Sequence, residues 1–246
     1  MNYNFSGQLV VVTGGTGGIG RCIIELFYDH GAEILMIGRN KDKLNRIMKL
    51  FPSKVHFEIC DLSNADQFSG LISSIEEKYG PISVLICNAG IYSDNYVVRM
   101  KNEQWQKVID INLNASFYLN REVIKKMLPR RYGKIVNISS MIGERGNIGQ
   151  SNYSASKAAI IAMTKCLAQE IGRRGINVNC IAPGYINTNM IANISKEIKE
   201  SIIEKIPLKR IGNPEEIGYA ALFLTSNYSS YITGQTIHIN GGLFML

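Results

Sequence analysis

No stretch of this chain approaches the roughly eighteen consecutive apolar residues that a membrane-spanning helix needs, which argues against a bilayer anchor. The first six residues, MNYNFS, lack the basic start and apolar centre of a secretory signal, so the expected location is the cytoplasm. Cysteine is sparse. Cys22, Cys60, Cys87, Cys166 and Cys180 are odd in number, widely spaced and set among apolar neighbours. Without a C-x-x-C pair they argue against a zinc framework and read as buried free thiols in a reducing compartment. The three histidines, His30, His56 and His238, fall at no ligand spacing, so no metal site is expected. Long basic blocks are missing as well, since only Lys125-Lys126 and Arg130-Arg131 stand together, and nucleic acid is therefore not expected as a partner. Charged residues make up 19% against 46% hydrophobic, ordinary proportions that argue against disorder.

What is present is a chain of 246 residues whose 27 basic and 20 acidic side chains leave a net charge of +7, a balance suited to anionic ligands or an acidic partner. Length alone permits one large α/β domain or two small ones. The order of the elements is more informative. Residues 9–12 are a short β-branched run that leads at once into Thr13-Gly14-Gly15-Thr16-Gly17-Gly18-Ile19-Gly20. A buried strand, a glycine turn and a helix, in that order, make a dinucleotide site: glycines let backbone approach a diphosphate, and the helix start supplies N–H donors and partial positive charge. Residues 33–40 are a second buried strand, with Gly38-Arg39-Asn40 at its tip, where an arginine accommodates a ribose 2′-phosphate and an acid binds a free 2′-hydroxyl. Glu33 lies at the other end, so the tip favours NADP over NAD; the competing reading makes Arg39 a solvated loop cap.

Strands at residues 55–59 and 82–87 follow, with a helical stripe of Phe68, Leu71, Ile72, Ile75 and Tyr79 between them. Asp61 is placed to meet an adenine edge or to open a helix. The fourth strand ends in Asn88-Ala89-Gly90, small residues where backbone passes close to a ligand. Four alternations of strand and helix predict right-handed crossovers and a parallel sheet. With no linker, repeat or shift of composition, residues 1–246 read as a single domain. Residues 101–131 read as two helices with the polar Asn112 near their junction, bonded to backbone or water. A strand at 134–138 delivers Ser139-Ser140, and a long helix over 151–174 places Tyr153 and Lys157 on one face, four residues apart. A sixth strand at 177–181 is broken by Pro183-Gly184, and the chain closes with a helix at 214–226 and a strand at 235–239. Between them, residues 188–205 carry Ile191, Ile194, Ile198 and Ile202 at helical spacing, either as a lid over an apolar substrate or as a core helix.

Thr13-Gly-x-x-x-Gly-x-Gly20, Asn88-Ala89-Gly90, Asn112, Ser140, Tyr153-x-x-x-Lys157 and Pro183-Gly184, in this order and spacing, resemble the short-chain dehydrogenase/reductase family over essentially the whole chain. Within it the chain looks most like the 3-oxoacyl acyl-carrier-protein reductases, through Gly149-Gln150-Ser151-Asn152-Tyr153 and the ending at residues 234–242. The resemblance implies a Rossmann-like, doubly wound, seven-stranded parallel sheet, a homotetramer, and NADPH-dependent reduction of a 3-oxoacyl group on acyl carrier protein in fatty acid synthesis. It selects Ser140 over Ser139, and makes Ser140, Tyr153, Lys157 and Asn112 the catalytic set. Cofactor contacts are implied for Gly14, Thr16, Gly18, Ile19, Gly20, Arg39, Asp61, Leu62, Asn88, Ala89, Gly90, Tyr153, Lys157, Pro183, Gly184, Ile186 and Thr188. Arg131 and Arg174 match carrier-protein contacts, or are solvated helix ends favoured by the helix dipole. One departure concerns the glycine turn, which has Gly15-Thr16-Gly17 where many NADP-using relatives carry a basic residue, so phosphate recognition falls mostly to Arg39.

The expected chemistry follows from charge. Reducing a ketone leaves alkoxide character on its oxygen, which needs a hydrogen-bond donor, Ser140, and a proton, from Tyr153. A free tyrosine titrates near 10, and the Lys157 ammonium one turn away is expected to lower that value. The competing readings are the same chemistry on a coenzyme A thioester or another alcohol or ketone and, more remotely, a non-catalytic nucleotide-binding module.

Overall fold

The computed structural model describes residues 3–188 and 195–245. Seven strands, β1 (Leu9–Thr13), β2 (Glu33–Gly38), β3 (Val55–Ile59), β4 (Ile82–Cys87), β5 (Gly133–Ile138), β6 (Ile176–Pro183) and β7 (Thr236–Ile239), pair in the order β3-β2-β1-β4-β5-β6-β7. Every pairing is parallel. Such a sheet is covered on both faces, which explains why β1 and β2 read as unbroken apolar runs. Val10, Val12, Ile34 and Met36 point into one core, and Leu9, Val11, Leu35 and Ile37 into the other.

The first core is closed by α1 (Gly18–Asp29), α2 (Lys41–Met48) and α9 (Pro214–Thr225), through Ile23, Ile24, Phe27, Leu44, Ile217 and Leu222. The second is closed by α3 (Phe68–Tyr79), α5 (Ala115–Arg130) and α7 (Ser151–Ile171), through Phe68, Ile72, Leu119, Val123, Ala168 and Ile171. The sheet reverses its winding at β1, which lies between β2 and β4, and a crevice opens beyond the strand tips there.

Three details depart from the sequence reading. Between α4 (Asn102–Ile109) and α5 the chain does not break into two helices; residues Asp110–Asn114 continue as a wider π-helical segment. Strand β6 runs through Pro183, whose partner is Ile239 of β7, where the sequence suggested a break. A short helix, α6 (Ile142–Arg145), follows Ser140 directly. Of the amphipathic stretch, Ile191 and Ile194 lie outside the described residues. Its described helix, α8 (Lys196–Lys205), buries none of its residues, so that portion is not a core helix. Cys166 is exposed on α7, while the other four thiols are buried and all five are unbridged.

Candidate active site

Where β1 ends, the glycine turn is tied to the tip of β4. Thr13 Oγ1 accepts from the N–H groups of Asn88 and Ala89, both at 3.0 Å, and Asn88 Nδ2 donates to the carbonyls of Thr13 and Gly14 at 3.1 Å. Gly14 adopts φ +68°, and a Cβ there would lie 2.8 Å from Ala89 Cα. A Cβ on Gly20 would run into the carbonyl oxygen of Gly14, and one on Gly18 would meet Thr188 Cγ2 at 2.7 Å. Glycine at these positions therefore brings α1, the turn and the β4 tip within backbone distance of one another. Gly17 caps α1 without a side-chain bond, so no side chain of its own occupies the helix start.

The second half of the site grows from β5. Ser139 Oγ donates to Lys157 O at 2.7 Å, a structural bond to α7, while the Ser140 hydroxyl acts on the Tyr153 phenol. Ser140 Oγ also accepts from Ile142 N at 3.2 Å. Lys157 is 3% exposed; its Nζ donates to Ile138 O at 2.8 Å and stacks over the Tyr153 ring, 5.7 Å from the centroid. Burial pushes the Lys157 ammonium down to about 8, with the Cys180 and Cys87 thiols acting the other way. The Tyr153 phenol is raised above its ordinary value, first by burial and further by the Asp94 carboxylate, while the Ser140 hydroxyl pulls it down. That direction differs from the lowering expected from Lys157, because loss of solvent outweighs the neighbouring bond and the ammonium is turned toward the Ile138 carbonyl.

Asn112 lies in the π-helical segment with no solvent exposure. Its Oδ1 accepts from Ile91 N at 2.8 Å, and its Nδ2 donates to Ile91 O at 2.9 Å and to Ser156 Oγ at 3.1 Å. The side chain thus clamps the loop after Asn88-Ala89-Gly90 onto α7, with the Ile91 backbone and the Ser156 hydroxyl as its partners. Gln150 and Asn152 clamp the same loop further on. Gln150 Nε2 donates to both oxygens of Asp94 at 3.0 Å, and Asn152 Nδ2 donates to Ser93 O at 3.0 Å and Gln104 O at 3.3 Å.

The two halves enclose one cleft of about 1400 Å³. Ser140, Tyr153, Lys157 and each residue expected to touch a cofactor line it; Asn112 stands behind the wall. Arg39 is exposed at the tip of β2, and Lys43, one turn into α2, lines the same end, a cation that the sequence reading missed. The Asn40 side chain caps α2 by accepting from Lys43 N at 2.9 Å, which fixes the turn between the two cations. Asp61 lies opposite, its carboxyl held below the usual range by Ser63 and, more weakly, by Arg39. Glu33 bonds His56 at 2.9 Å at the far end of β2, away from the cleft. Ile198 and Ile202, expected from the sequence as part of a lid or a core helix, also line the cleft, together with Tyr92, Asp94 and Tyr185.

Arg131 and Arg174 are not part of it. Arg131, at φ +52° beyond α5, donates from Nη2 to Arg173 O at 2.9 Å, so the two arginines share the edge where β5 and β6 begin. Strand β5 is six residues long, which puts that edge about 20 Å from the Ser140 tip.

Residues 14–244 match the family model described as enoyl-(acyl carrier protein) reductase. The chain is 46% identical over 243 residues to a Rickettsia typhi protein named 3-oxoacyl-[acyl-carrier-protein] reductase FabG, covering 99% of each. It is 44% identical over 247 residues to a Chlamydia muridarum protein of the same name, covering 99% of this chain and 100% of that one. This is a short-chain dehydrogenase/reductase. A crystal structure from Brucella melitensis, described as short-chain dehydrogenase/reductase SDR, glucose/ribitol dehydrogenase, superposes with a TM-score of 0.93 at 32% identity over the whole of both chains. Membership implies a nicotinamide cofactor, and the cleft fits one. Its glycine cradle leaves no room for side chains at Gly14, Gly18 and Gly20, its volume exceeds that of a drug-sized pocket, and it runs unbroken from Arg39 to Tyr153.

Proposed function

We propose that this chain uses NADPH to reduce 3-oxoacyl groups on acyl carrier protein to their 3-hydroxy forms, the step of fatty acid synthesis that its relatives are named for. The observation that carries the reading is the meeting of Ser140, Tyr153 and Lys157 on one wall of the cleft whose other end is the glycine cradle. Arg39 and Lys43 at the adenosine end support NADPH over NADH, since an anion there meets two cations, while Glu33 is engaged by His56.

When bound, the nicotinamide supplies the hydride. Ser140 donates a hydrogen bond to the substrate ketone oxygen, and Tyr153 delivers a proton to that oxygen as negative charge develops on it. A phenol whose value is raised holds its proton at neutral pH, and it becomes an effective acid only as the phenolate it leaves is stabilised. Once the proton has left, the Lys157 ammonium turns from the Ile138 carbonyl to stabilise the phenolate, and a value of about 8 lets that lysine exchange protons near neutral pH. Asn112 holds the cofactor-facing loop in place through Ile91.

The proposal extends to one functional unit over residues 1–246, to the cytoplasm as its location, and to a homotetramer. The five unbridged thiols support a reducing compartment, and the outer edge of β7, unpaired among the described residues, supports assembly. A second reading, a coenzyme A thioester as substrate, is favoured by the distance of Arg131 and Arg174 from the cleft. Oxidation of NADPH and of NADH with acetoacetyl carrier protein and acetoacetyl coenzyme A, run side by side, tests the reaction, its cofactor and its thioester. Faster turnover with NADPH and carrier protein is expected. Equal rates on both thioesters, unaffected by charge reversal at Arg131 and Arg174, would rule out the docking role. No oxidation of either cofactor across a broad carbonyl panel would return the chain to a non-catalytic module.

A further inference from the structure

Asp94 is the acid that lines the substrate half of the cleft beside Ser140 and Tyr153, and its charge reaches the Tyr153 phenol. Its position is fixed from several directions. Both carboxylate oxygens accept from Gln150 Nε2 at 3.0 Å, and Asn147 Nδ2 orients Gln150 by donating to its Oε1 at 2.9 Å. On one flank Ser93 O accepts from the fully buried Asn152; on the other, Asn95 N donates to Gly149 O at 2.9 Å. Among the described residues no salt bridge neutralises Asp94. The other charges on the cleft wall are Glu197 and Lys205, one of each sign on α8, the Asp61 carboxylate with Arg39 and Lys43 at the adenosine end, and Lys157, which is tied to Ile138 O.

A 3-oxo acid carries its carboxylate two carbons from the ketone carbon. With the ketone oxygen at Ser140 and Tyr153, that carboxylate lies on the side of the cleft that Asp94 lines, where the exposed Asp94 carboxylate repels it through solvent that salt can screen. A thioester of the same acyl group has no charge at that carbon. A pinned anion cannot swing away to relieve the repulsion, which turns a surface charge into a selective one.

We infer that Asp94, held by Gln150, is a specificity-determining residue that excludes free 3-oxo carboxylates and admits the uncharged thioester. The inference rests on the 3-oxoacyl reduction proposed above. It concerns charge at the acyl carbon and is indifferent to whether carrier protein or coenzyme A lies beyond the sulfur.

The test compares kcat/KM for acetoacetate with that for its uncharged N-acetylcysteamine thioester, in the wild type and in Asp94→Asn. An asparagine in this place still accepts from Gln150 through its amide oxygen, so the clamp is retained. The acid-to-thioester ratio is expected to rise about threefold in the variant, the size of a solvent-screened repulsion over several ångströms. In the wild type the same ratio is expected to rise as ionic strength goes from low to high salt, and in Asp94→Asn to stay flat, because only a charge is screened. The wild-type salt series stands even if the variant folds poorly. An unchanged ratio in the variant, or a salt-insensitive ratio in the wild type, with thioester turnover intact, overturns the role of Asp94. Failure of the wild type to turn over any acetoacetyl thioester overturns the reductase reading instead.

Discussion

Replacing Asn112 with alanine tests whether this side chain acts as a clamp. The substitution removes three hydrogen bonds, to Ile91 N, Ile91 O and Ser156 Oγ, at a position with no solvent exposure, and leaves both backbone groups of Ile91 without that partner. At about 1 kcal/mol net for each bond, the loss comes to about 3 kcal/mol, a shift of about 150-fold in the unfolding equilibrium. For a domain of this size that corresponds to a fall of about 6–12 °C in Tm. Thermal unfolding at a fixed protomer concentration measures it, the concentration being held because assembly adds its own stability. Asn112→Asp is the informative companion. It keeps an acceptor for the Ile91 N–H, yet loses both donor bonds and brings a carboxylate into a fully buried place, so it is expected to be at least as damaging. Ile91 leads from the cofactor-facing strip at Asn88-Ala89-Gly90 to Asp94 on the substrate side. A misplacement of the order of 1 Å there is expected to lower kcat/KM about a hundredfold in the alanine variant. A variant that melts within 2 °C of the wild type would refute the clamp and return Asn112 to the solvent-bonded reading.

Tyr153→Phe is expected to reduce turnover by about 10²–10⁴-fold while fluorescence titration finds cofactor affinity near that of the wild type; retained turnover would remove the tyrosine from the proton path. Arg39→Ala should raise KM for NADPH and leave KM for NADH nearly unmoved, so equal losses with both would deny it a part in phosphate recognition. Lys157 has a sign that can be checked. Its folded value of about 8 lies below the ordinary 10.5, so between those pH values the unfolded chain holds this proton more tightly and the contribution of the group to stability rises with pH. Urea unfolding of the wild type and Lys157→Met at pH 7.5 and 9.5 should show the difference moving in favour of the wild type at the higher pH; an identical difference at both would refute the burial argument. Gly20→Ala puts a methyl against the Gly14 carbonyl and should cost about 1–3 kcal/mol and weaken cofactor binding, which a thermal melt and a binding titration read together.

The strands were legible because both faces of the sheet are buried, which turns β1, β2 and β4 into apolar runs with glycine or small residues at their tips. The strand order was not, since periodicity says which residues pair with something and nothing about which strand that is; the family resemblance implies a doubly wound sheet of seven strands. The extension of β6 through Pro183 escaped notice because a proline there looks like a stop. At the tip, the Pro183 carbonyl still accepts from Met141 N and needs no donor in return. Helix α6 has four residues and so shows no repeat. The catalytic cluster was visible as spacing along one helix, whereas Lys43 and Asp94 belong to the cleft through tertiary folding alone. Gln150 and Asn152 were noticed as family markers, but their effect on the loop through Ser93 and Asp94 spans more than fifty positions of sequence and leaves no local pattern.

The π-helical segment at Asp110–Asn114 has a consequence for how this chain tolerates change. A wider turn holds one residue more than an α-turn, so it acts as a phase shifter: each residue added or removed rotates everything downstream by about 100° about the helix axis. Asn112 faces Ile91 and Ser156, while Ser116 Oγ reaches back to Asn112 O at 2.8 Å. Val123 and Met127 of α5, further along, face the second core. Deleting one residue here would leave the sequence almost intact and misalign the clamp with the core stripe that follows it. Length in this segment is therefore constrained more tightly than identity at most of its positions.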